Sequence, residues 1–231
     1  MTAETLSDDL AGLAQAPTAA FDFATLSGRD KYKLLIGAVV PRPIAWVTTI
    51  DGEGRVNAAP FSFFNCLSAD PAILAIGVEY RPSGAQKDTG RNIKDTQAFT
   101  VNIASSRLLE AMNVTAVPFG AGIDELEQAG LHARPGVKVA CPAIAEAPVA
   151  FECRHHVTLS IGNSREIVLG EIVYAHLHAD IVNERLHVDP RALDAVGRMG
   201  GQGYASTRDY FDLATMSEAE WASGAIPTRI R

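Results

Sequence analysis

Apolar positions along this chain fall mostly into period-two runs and short unbroken runs, so the pattern predicts strands with short helices between them. From Val149 to Ile161 the alternation is nearly strict. Val149, Phe151, Cys153, His155, Val157, Leu159 and Ile161 share one face, predicted to be core, and Glu152, Arg154, His156, Thr158 and Ser160 share the other. Gly162-Asn163-Ser164 turns this strand into a second, Glu166 to Leu177, giving a long antiparallel hairpin. Ile44 to Ile50 is rich in β-branched and aromatic residues. Asp51-Gly52-Glu53-Gly54 then tolerates positive φ before Arg55 to Ala59 returns as a hairpin partner. Ala72 to Glu79 and Ala98 to Ile103 read as further strands, the first entered through Asp70-Pro71 and left through Arg81-Pro82-Ser83-Gly84.

Helical spacing is confined to short stretches. Leu6, Leu10 and Leu13 suggest an N-terminal arm. Ser27 and Asp30 resemble a capped start for a helix whose Tyr32, Leu35 and Ile36 share a face before Pro41-Arg42-Pro43 stops it. Lys87 to Thr96 has helix-compatible spacing, Ser105 or Ser106 could cap a helix reaching Asn113, and Asp124 to Ala129 is closed by Gly130. Asp189-Pro190 pairs an N-cap with an N1 proline, predicting a helix that ends near Gly197 to Gly203. No strand-helix alternation is long enough for a doubly wound sheet, so the expectation is a mainly β chain, a β-barrel with helical insertions.

Composition narrows the function classes. The 231 residues are 47% apolar and 20% charged, which excludes disorder, collagen and coiled coil and suits a sizeable core. A net charge of −7 lacks the basic field that nucleic acid or an anionic membrane requires, although a local pocket for one phosphate stays compatible with it. No apolar run approaches the roughly 18 residues of a bilayer span, and MTAETLSDDL has neither a basic nor an apolar signal region, so the expected location is cytoplasmic. Three widely spaced cysteines, Cys66, Cys141 and Cys153, fit reduced thiols. His155-His156 and His176-x-His178 lack the carboxylate or thiolate spacing of a zinc site, so no metal is expected, and hydrolase or nucleotide-triphosphatase motifs are missing.

Two segments carry candidate chemistry. Lys87-Asp88-Thr89-Gly90-Arg91-Asn92 puts two cations, a hydroxyl and an amide at a helix start, where unpaired N–H groups favour an anion. The residues alone fit a solvated helix start equally well. Asn57 to Ser68 mixes small residues, hydrogen-bonding groups and Phe61, Phe63 and Phe64, a mixture suited to a flat, polar-edged ring, although at least two of the aromatics are expected in the core. Gly200-Gly201-Gln202-Gly203 reads as a glycine-rich helix exit rather than a dinucleotide fingerprint.

Taken in order, Pro41 to Thr49, Asn57 to Ser68, Asp70-Pro71, Lys87 to Asn92, Ile167 to Val173 and Arg198 to Tyr204 resemble the flavin reductase-like family of FMN-binding split barrels, of the nitrilotriacetate monooxygenase component B type. The resemblance runs from about Phe23 to Phe211, which implies an arm over residues 1–22, a split-barrel domain over 23–211 and a tail over 212–231. It implies a homodimer with FMN near the subunit interface, NADH or NADPH as electron donor, and a separate monooxygenase as possible consumer of the reduced flavin. Carried over by position, Thr48 and Thr49 lie beside the flavin, and Ser62, Phe63, Asn65, Cys66, Leu67 and Ser68 line its ring edge. Lys87, Thr89, Arg91 and Asn92 face the phosphate, while Arg198, Gly201 and Tyr204 approach from the dimer side. One departure stands out: where short family members carry Gly-Asp-His, this chain reads Ser164-Arg165-Glu166, which leaves the donor open. The activity implied is hydride transfer to flavin N5, work the cofactor does without a side-chain nucleophile. The alternatives are a flavin-dependent oxygenase acting on an organic substrate and a non-catalytic flavin carrier.

Overall fold

A computed structural model describes residues 10–120, 122–162, 164–225 and 227. Of the sequence expectations, Leu6 in the arm, the first nine residues read for a signal, Asn163 in the hairpin turn and the last residues of the tail lie outside that set. The chain divides into two compact units, residues 36–208 and the remainder. In the smaller unit residues 10–14 are helical and Ser217 builds a capping box with Glu220. Ser27 caps helix α1 (Gly28–Ala38) as expected, its Oγ accepting from Asp30 N at 3.1 Å, but no residue of α1 is buried.

The larger unit is built on one antiparallel seven-stranded sheet in the order β2-β1-β5-β8-β9-β4-β3. Its strands are β1 (Ala45–Ile50), β2 (Val56–Phe61), β3 (Phe64–Ala69), β4 (Ala72–Glu79), β5 (Ala98–Ile103), β8 (Val149–Ile161) and β9 (Arg165–Leu177). Helix α2 (Asp88–Thr96) joins β4 to β5. A turn at Ser106–Leu108, α3 (Leu109–Val114) and α4 (Glu125–Gln128) follow, then the small strands β6 (Ala133–Arg134) and β7 (Ala143–Ile144). After β9 come α5 (Pro190–Leu193) and the hairpin β10 (Val196–Arg198) with β11 (Tyr204–Ser206).

Strand alternation divides the core into two layers. Ala45 and Val47 of β1 pack with Phe61, Leu74, Ile76, Val78, Ile93, Phe99, Val101, Cys153 and Val168, the inner core that the sheet and α2 enclose. Ile44 and Trp46 point the other way, into a layer with Met112, Leu126, Ile144 and Val196. Both faces of β1 are therefore covered, which is why its sequence carries no charge and does not alternate, its only polar residues being Thr48 and Thr49. Gly170 shows how tightly the inner core closes: a Cβ there would lie 2.2 Å from Phe99 Cζ, on a ring with no exposed surface. Gly170→Ala is expected to cost about 1–3 kcal/mol through overpacking, read as a lowered urea midpoint with unchanged slope.

Four expectations are corrected. β8 keeps its expected apolar face, with Phe151 and Cys153 on the inner core, only as far as its pairing with β5, which ends at Arg154; beyond it Val157, Leu159 and Ile161 are exposed. Glu152, on the opposite face as expected, is nevertheless buried, because the backbone at 137–139 and His176 cover it. The helix opened by Asp189-Pro190 stops at Leu193, where Asp194 takes a left-handed φ of 48° and the chain turns into β10. Gly200 to Gly203 is thus the turn of the β10–β11 hairpin, with Met199 N donating to Gly203 O at 2.9 Å. Neither serine caps α3: Ser105 makes no capping bond, and Ser106 Oγ is bonded to Asp194.

Candidate functional site

The period of two in β1 also separates the neighbouring threonines. Thr48 lies on the outer side, fully buried, with its hydroxyl donating to Pro142 O and Asn102 Nδ2 donating to it at 3.3 Å. Thr49 lies on the inner side, where its Oγ1 accepts from Asn92 Nδ2 at 3.1 Å. Asn92 is 2% exposed, and its Oδ1 is the sole buried side-chain polar atom without a partner among the described residues. A buried acceptor left unpaired costs about 1–3 kcal/mol, so a donor from a ligand or water is expected there.

One turn earlier on α2, Thr89 Oγ1 accepts from Asn57 Nδ2 of β2 at 3.1 Å. The helix begins at Asp88 with Lys87 as N-cap, and Lys87 supplies no capping bond. The first N–H groups of α2 therefore present a positive end to whatever approaches. Around it stand ion pairs in which carboxylates are shared. Glu79 holds both Lys87 and Arg165 (3.2 Å), Asp88 holds both Arg81 (2.6 Å) and Arg91 (2.7 Å), and Glu166 holds Lys94 at 2.5 Å. Cations outnumber the carboxylates that hold them, a local excess within an acidic chain. Beside this end of α2 a cleft of ≈ 60 Å³ is lined by Asn57, Arg91 and Asn92, with Arg55 set against Asp51, Asp88 and Glu125. Three carboxylates against two arginines line this small cleft, so it adjoins the cation-rich groups without sharing their charge balance.

The helix is fixed from behind by Glu166, whose side chain is almost fully buried. Tyr80 Oη donates to Glu166 Oε1 at 2.8 Å and Gln86 Nε2 at 3.3 Å. Burial raises the Glu166 carboxyl, but Lys94, Tyr80 and Gln86 outweigh it and hold it below the usual range. Glu166 and its neighbour Arg165 thus both serve this end of the sheet.

The ring-edge segment is reached through the same network. Arg165 lies over the Phe63 ring, 3.6 Å from its centroid, while Lys87 lies 5.8 Å from that of Phe61. Phe61 is core and Phe64 packs on it, leaving Phe63 under Arg165. Asn65 Oδ1 accepts from Cys66 N at 2.8 Å, and Cys66 and Leu67 are exposed on β3, which is an edge strand. Ser68 O faces the Cys66 thiol at 3.8 Å. Cys141 and Cys153 are buried, and burial pushes both thiols up, so neither is a ready nucleophile.

Arg198, Gly201 and Tyr204 come together in the β10–β11 hairpin: the Arg198 guanidinium donates to Gly201 O at 2.8 Å and lies 4.5 Å from the Tyr204 ring centroid. Arg42 joins this hairpin to the ring-edge segment. Its backbone pairs with Arg198, its side chain donates to Met199 O at 3.0 Å, and its Nε lies 3.5 Å from Ser62 Oγ. Sequence reasoning missed Arg42, Glu79, Arg165 and Glu166 as site residues, and it put Asn57 in the ring-edge segment, whereas Asn57 bonds Thr89 at the start of α2. Of the four missed, only Arg42 carried a signal, a lone cation between two prolines in an otherwise apolar stretch. The structure thus gathers Thr49, Lys87, Thr89, Arg91 and Asn92 in one cluster, links Phe63 to it through Arg165 and Glu79, and turns Thr48 away.

Residues 36–197 match the family described as flavin reductase like domain. An uncharacterized protein of Deinococcus radiodurans is 44% identical over 209 residues, 87% of this chain and 91% of the relative. Among solved structures, nitrilotriacetate monooxygenase component B from Bacillus cereus is 27% identical with a TM-score of 0.83, covering 86% of this chain and 100% of that one. The 2-nitrobenzoate 2-nitroreductase of Pseudomonas fluorescens is 33% identical with a TM-score of 0.80, covering 87% and 98%.

Proposed function

The chain belongs to the flavin reductase-like domain family, and from that membership and the α2 cluster we propose that it is an FMN-binding oxidoreductase that takes electrons from NADH or NADPH. The observation that carries the reading is the conjunction at the start of α2: an uncapped helix N-terminus, Lys87 and Arg91 beside it, and the unpartnered Oδ1 of buried Asn92. These residues fit FMN. The helix end and the two cations match a phosphate, and Asn92 Oδ1 matches a hydroxyl donor such as the ribityl chain carries. When bound, FMN supplies the redox chemistry, with hydride passing from nicotinamide C4 to flavin N5.

The protein's part is binding and orientation. Lys87 and Arg91 exchange part of their pairing with Glu79 and Asp88 for the phosphate, while Arg165 keeps Glu79 from being left alone. Thr49 and Asn57 hold Asn92 and Thr89 in place from β1 and β2. Ser62, Phe63, Asn65, Cys66, Leu67 and Ser68 offer the ring edge, with Arg42 fixing Ser62, and Arg198, Gly201 and Tyr204 complete the site across a homodimer interface. The name of the Bacillus cereus component B supports a partner monooxygenase as electron acceptor.

The reading is tested by mixing the flavin-loaded protein with NADH or NADPH without oxygen. Rapid loss of the oxidised flavin absorbance is expected with at least one donor. Bleaching that requires an added organic compound points instead to an enzyme acting directly on that compound, and none with either donor points to a carrier.

A further inference from the structure

Two arginines meet where the segment before β1 crosses the β10–β11 hairpin, and neither is held by a carboxylate. Arg42 and Arg198 pair backbone to backbone, Arg42 N donating to Arg198 O at 2.9 Å and Arg198 N to Arg42 O at 2.8 Å. Arg42 is only 7% exposed. Its guanidinium donates to Ile36 O at 2.6 Å, Val39 O at 2.8 Å and Met199 O at 3.0 Å, with Ser62 Oγ 3.5 Å from Nε. The Arg198 guanidinium donates to Gly201 O at 2.8 Å and lies 4.5 Å from the Tyr204 ring centroid.

Every one of these partners is neutral. Arg55, Arg81, Arg91, Arg165 and Arg208 each rest on an aspartate or glutamate, in a chain with 27 acids and a net charge of −7, so acids are not scarce. Carbonyl dipoles solvate a buried cation without cancelling its charge, and a buried charge without a counter-ion is costly. Like charges on directly opposed residues of an antiparallel pair add to that cost. The carbonyls at the end of α1 account for a cation at Arg42, since a helix C-terminus favours one, but not for a second cation beside it. Folding alone is better served by an acid at one of the two positions.

In the function proposed above, on which this inference rests, Ser62 and Arg198 stand at the flavin ring. A hydride carries two electrons and one proton, so as it passes from nicotinamide C4 to flavin N5 the neutral ring gains one negative charge and the nicotinamide becomes a cation. We infer that Arg42 and Arg198 are kept free of carboxylates so that the site favours the ring after it has accepted the hydride, which raises the midpoint potential of the bound FMN. Arg42 acts from a buried position, where the effective dielectric is low and a charge is felt more strongly than in water. Arg198 contributes a guanidinium already oriented by Gly201 and Tyr204. A carboxylate on either arginine would cancel the effect.

The test is the midpoint potential of the FMN-loaded full chain, measured by anaerobic spectroelectrochemical titration of the parent, Arg198→Gln, Arg198→Lys, Arg42→Gln and Arg42→Lys, with circular dichroism confirming each fold. Loss of one charge is expected to weaken the hold on the reduced ring about tenfold relative to the oxidised one, a fall of about 30 mV for a two-electron couple. The lysine variants keep the charge and are expected to stay close to the parent. An unchanged potential in Arg198→Gln overturns the inference, as do lysine and glutamine variants that fall equally, since shape rather than charge then sets the potential. If Arg42→Gln does not fold, the two Arg198 variants decide by themselves. A parent that takes up no FMN overturns the proposed function and this inference together, whereas a loaded parent whose potential ignores these charges overturns this inference alone.

Discussion

Lys87→Ala and Arg91→Ala are each expected to weaken FMN binding by about tenfold to a hundredfold and to leave riboflavin affinity almost unchanged. Charge-assisted hydrogen bonds contribute roughly 1.5–3 kcal/mol each, and about 1.4 kcal/mol is one decade in affinity. Both cations already have carboxylate partners, so the net gain on binding phosphate is the difference between two ion pairs. That difference favours phosphate, because the anion also meets the uncapped N–H groups of α2 whereas Glu79 and Asp88 do not need to be abandoned: Arg165 and Arg81 remain on them. Riboflavin has no phosphate and therefore no such gain. Fluorescence titration of both ligands against each variant is the measurement. Unchanged FMN affinity identifies a solvated helix start, and equal losses for both ligands identify a damaged fold.

Glu152→Gln is expected to destabilise the protein by about 3–5 kcal/mol, the range for breaking a buried charged network by removing one partner. The Glu152 side chain has no exposed surface, and its carboxylate accepts from Val137 N (2.7 Å), Lys138 N (2.6 Å), Val139 N (3.1 Å) and His176 Nε2 (2.7 Å). An amide in its place turns one acceptor into a donor facing donors. The loop so released leads to Cys141 and Pro142, whose carbonyls take the Thr100 and Thr48 hydroxyls, so the outer layer over β1 and β5 loosens with it.

Acid has a related effect on the parent. Burial raises the Glu152 carboxyl, but the backbone donors at 137, 138 and 139 and His176 outweigh it and the folded value ends below the ordinary one. The unfolded chain therefore takes up this proton first as pH falls. The stabilisation is complete above the ordinary glutamate value of about 4.3 and is lost as pH drops through the lower folded value. Urea midpoints should show the gap between parent and variant constant near neutrality and narrowing in that acidic window.

How much of this was legible in the sequence follows from what kind of contact each residue makes. Strands β1, β4 and β5 were readable because they are short segments rich in β-branched and apolar residues between turn signals, and α4 because Asp124 caps it locally, accepting from Leu126 N at 2.8 Å. β8 was read only in part because what covers a strand is not written in its own residues: Glu152 is buried by the backbone at 137–139, and Val157 is exposed because the pairing with β5 ends at Arg154. The α2 cluster was visible as a segment since its cations, hydroxyl and amide are consecutive. Its partners were not. Arg165 meets Glu79 across 86 residues through the β4–β9 register, and Arg42 meets Met199 across 157. The resemblance carried the ring-edge residues, whose spacing alone would not have separated them from core.

Whether the start of α2 holds the phosphate of FMN is decided by direct titration. Purified protein, stripped of any bound flavin, is titrated with FMN and with riboflavin while the flavin absorbance and fluorescence are followed. The expectation is a saturable change with FMN at about one per chain, with at least tenfold weaker binding of riboflavin, on the scale of one charge-assisted pair. A protein that gives no spectral change with FMN, or binds both flavins equally, contradicts it.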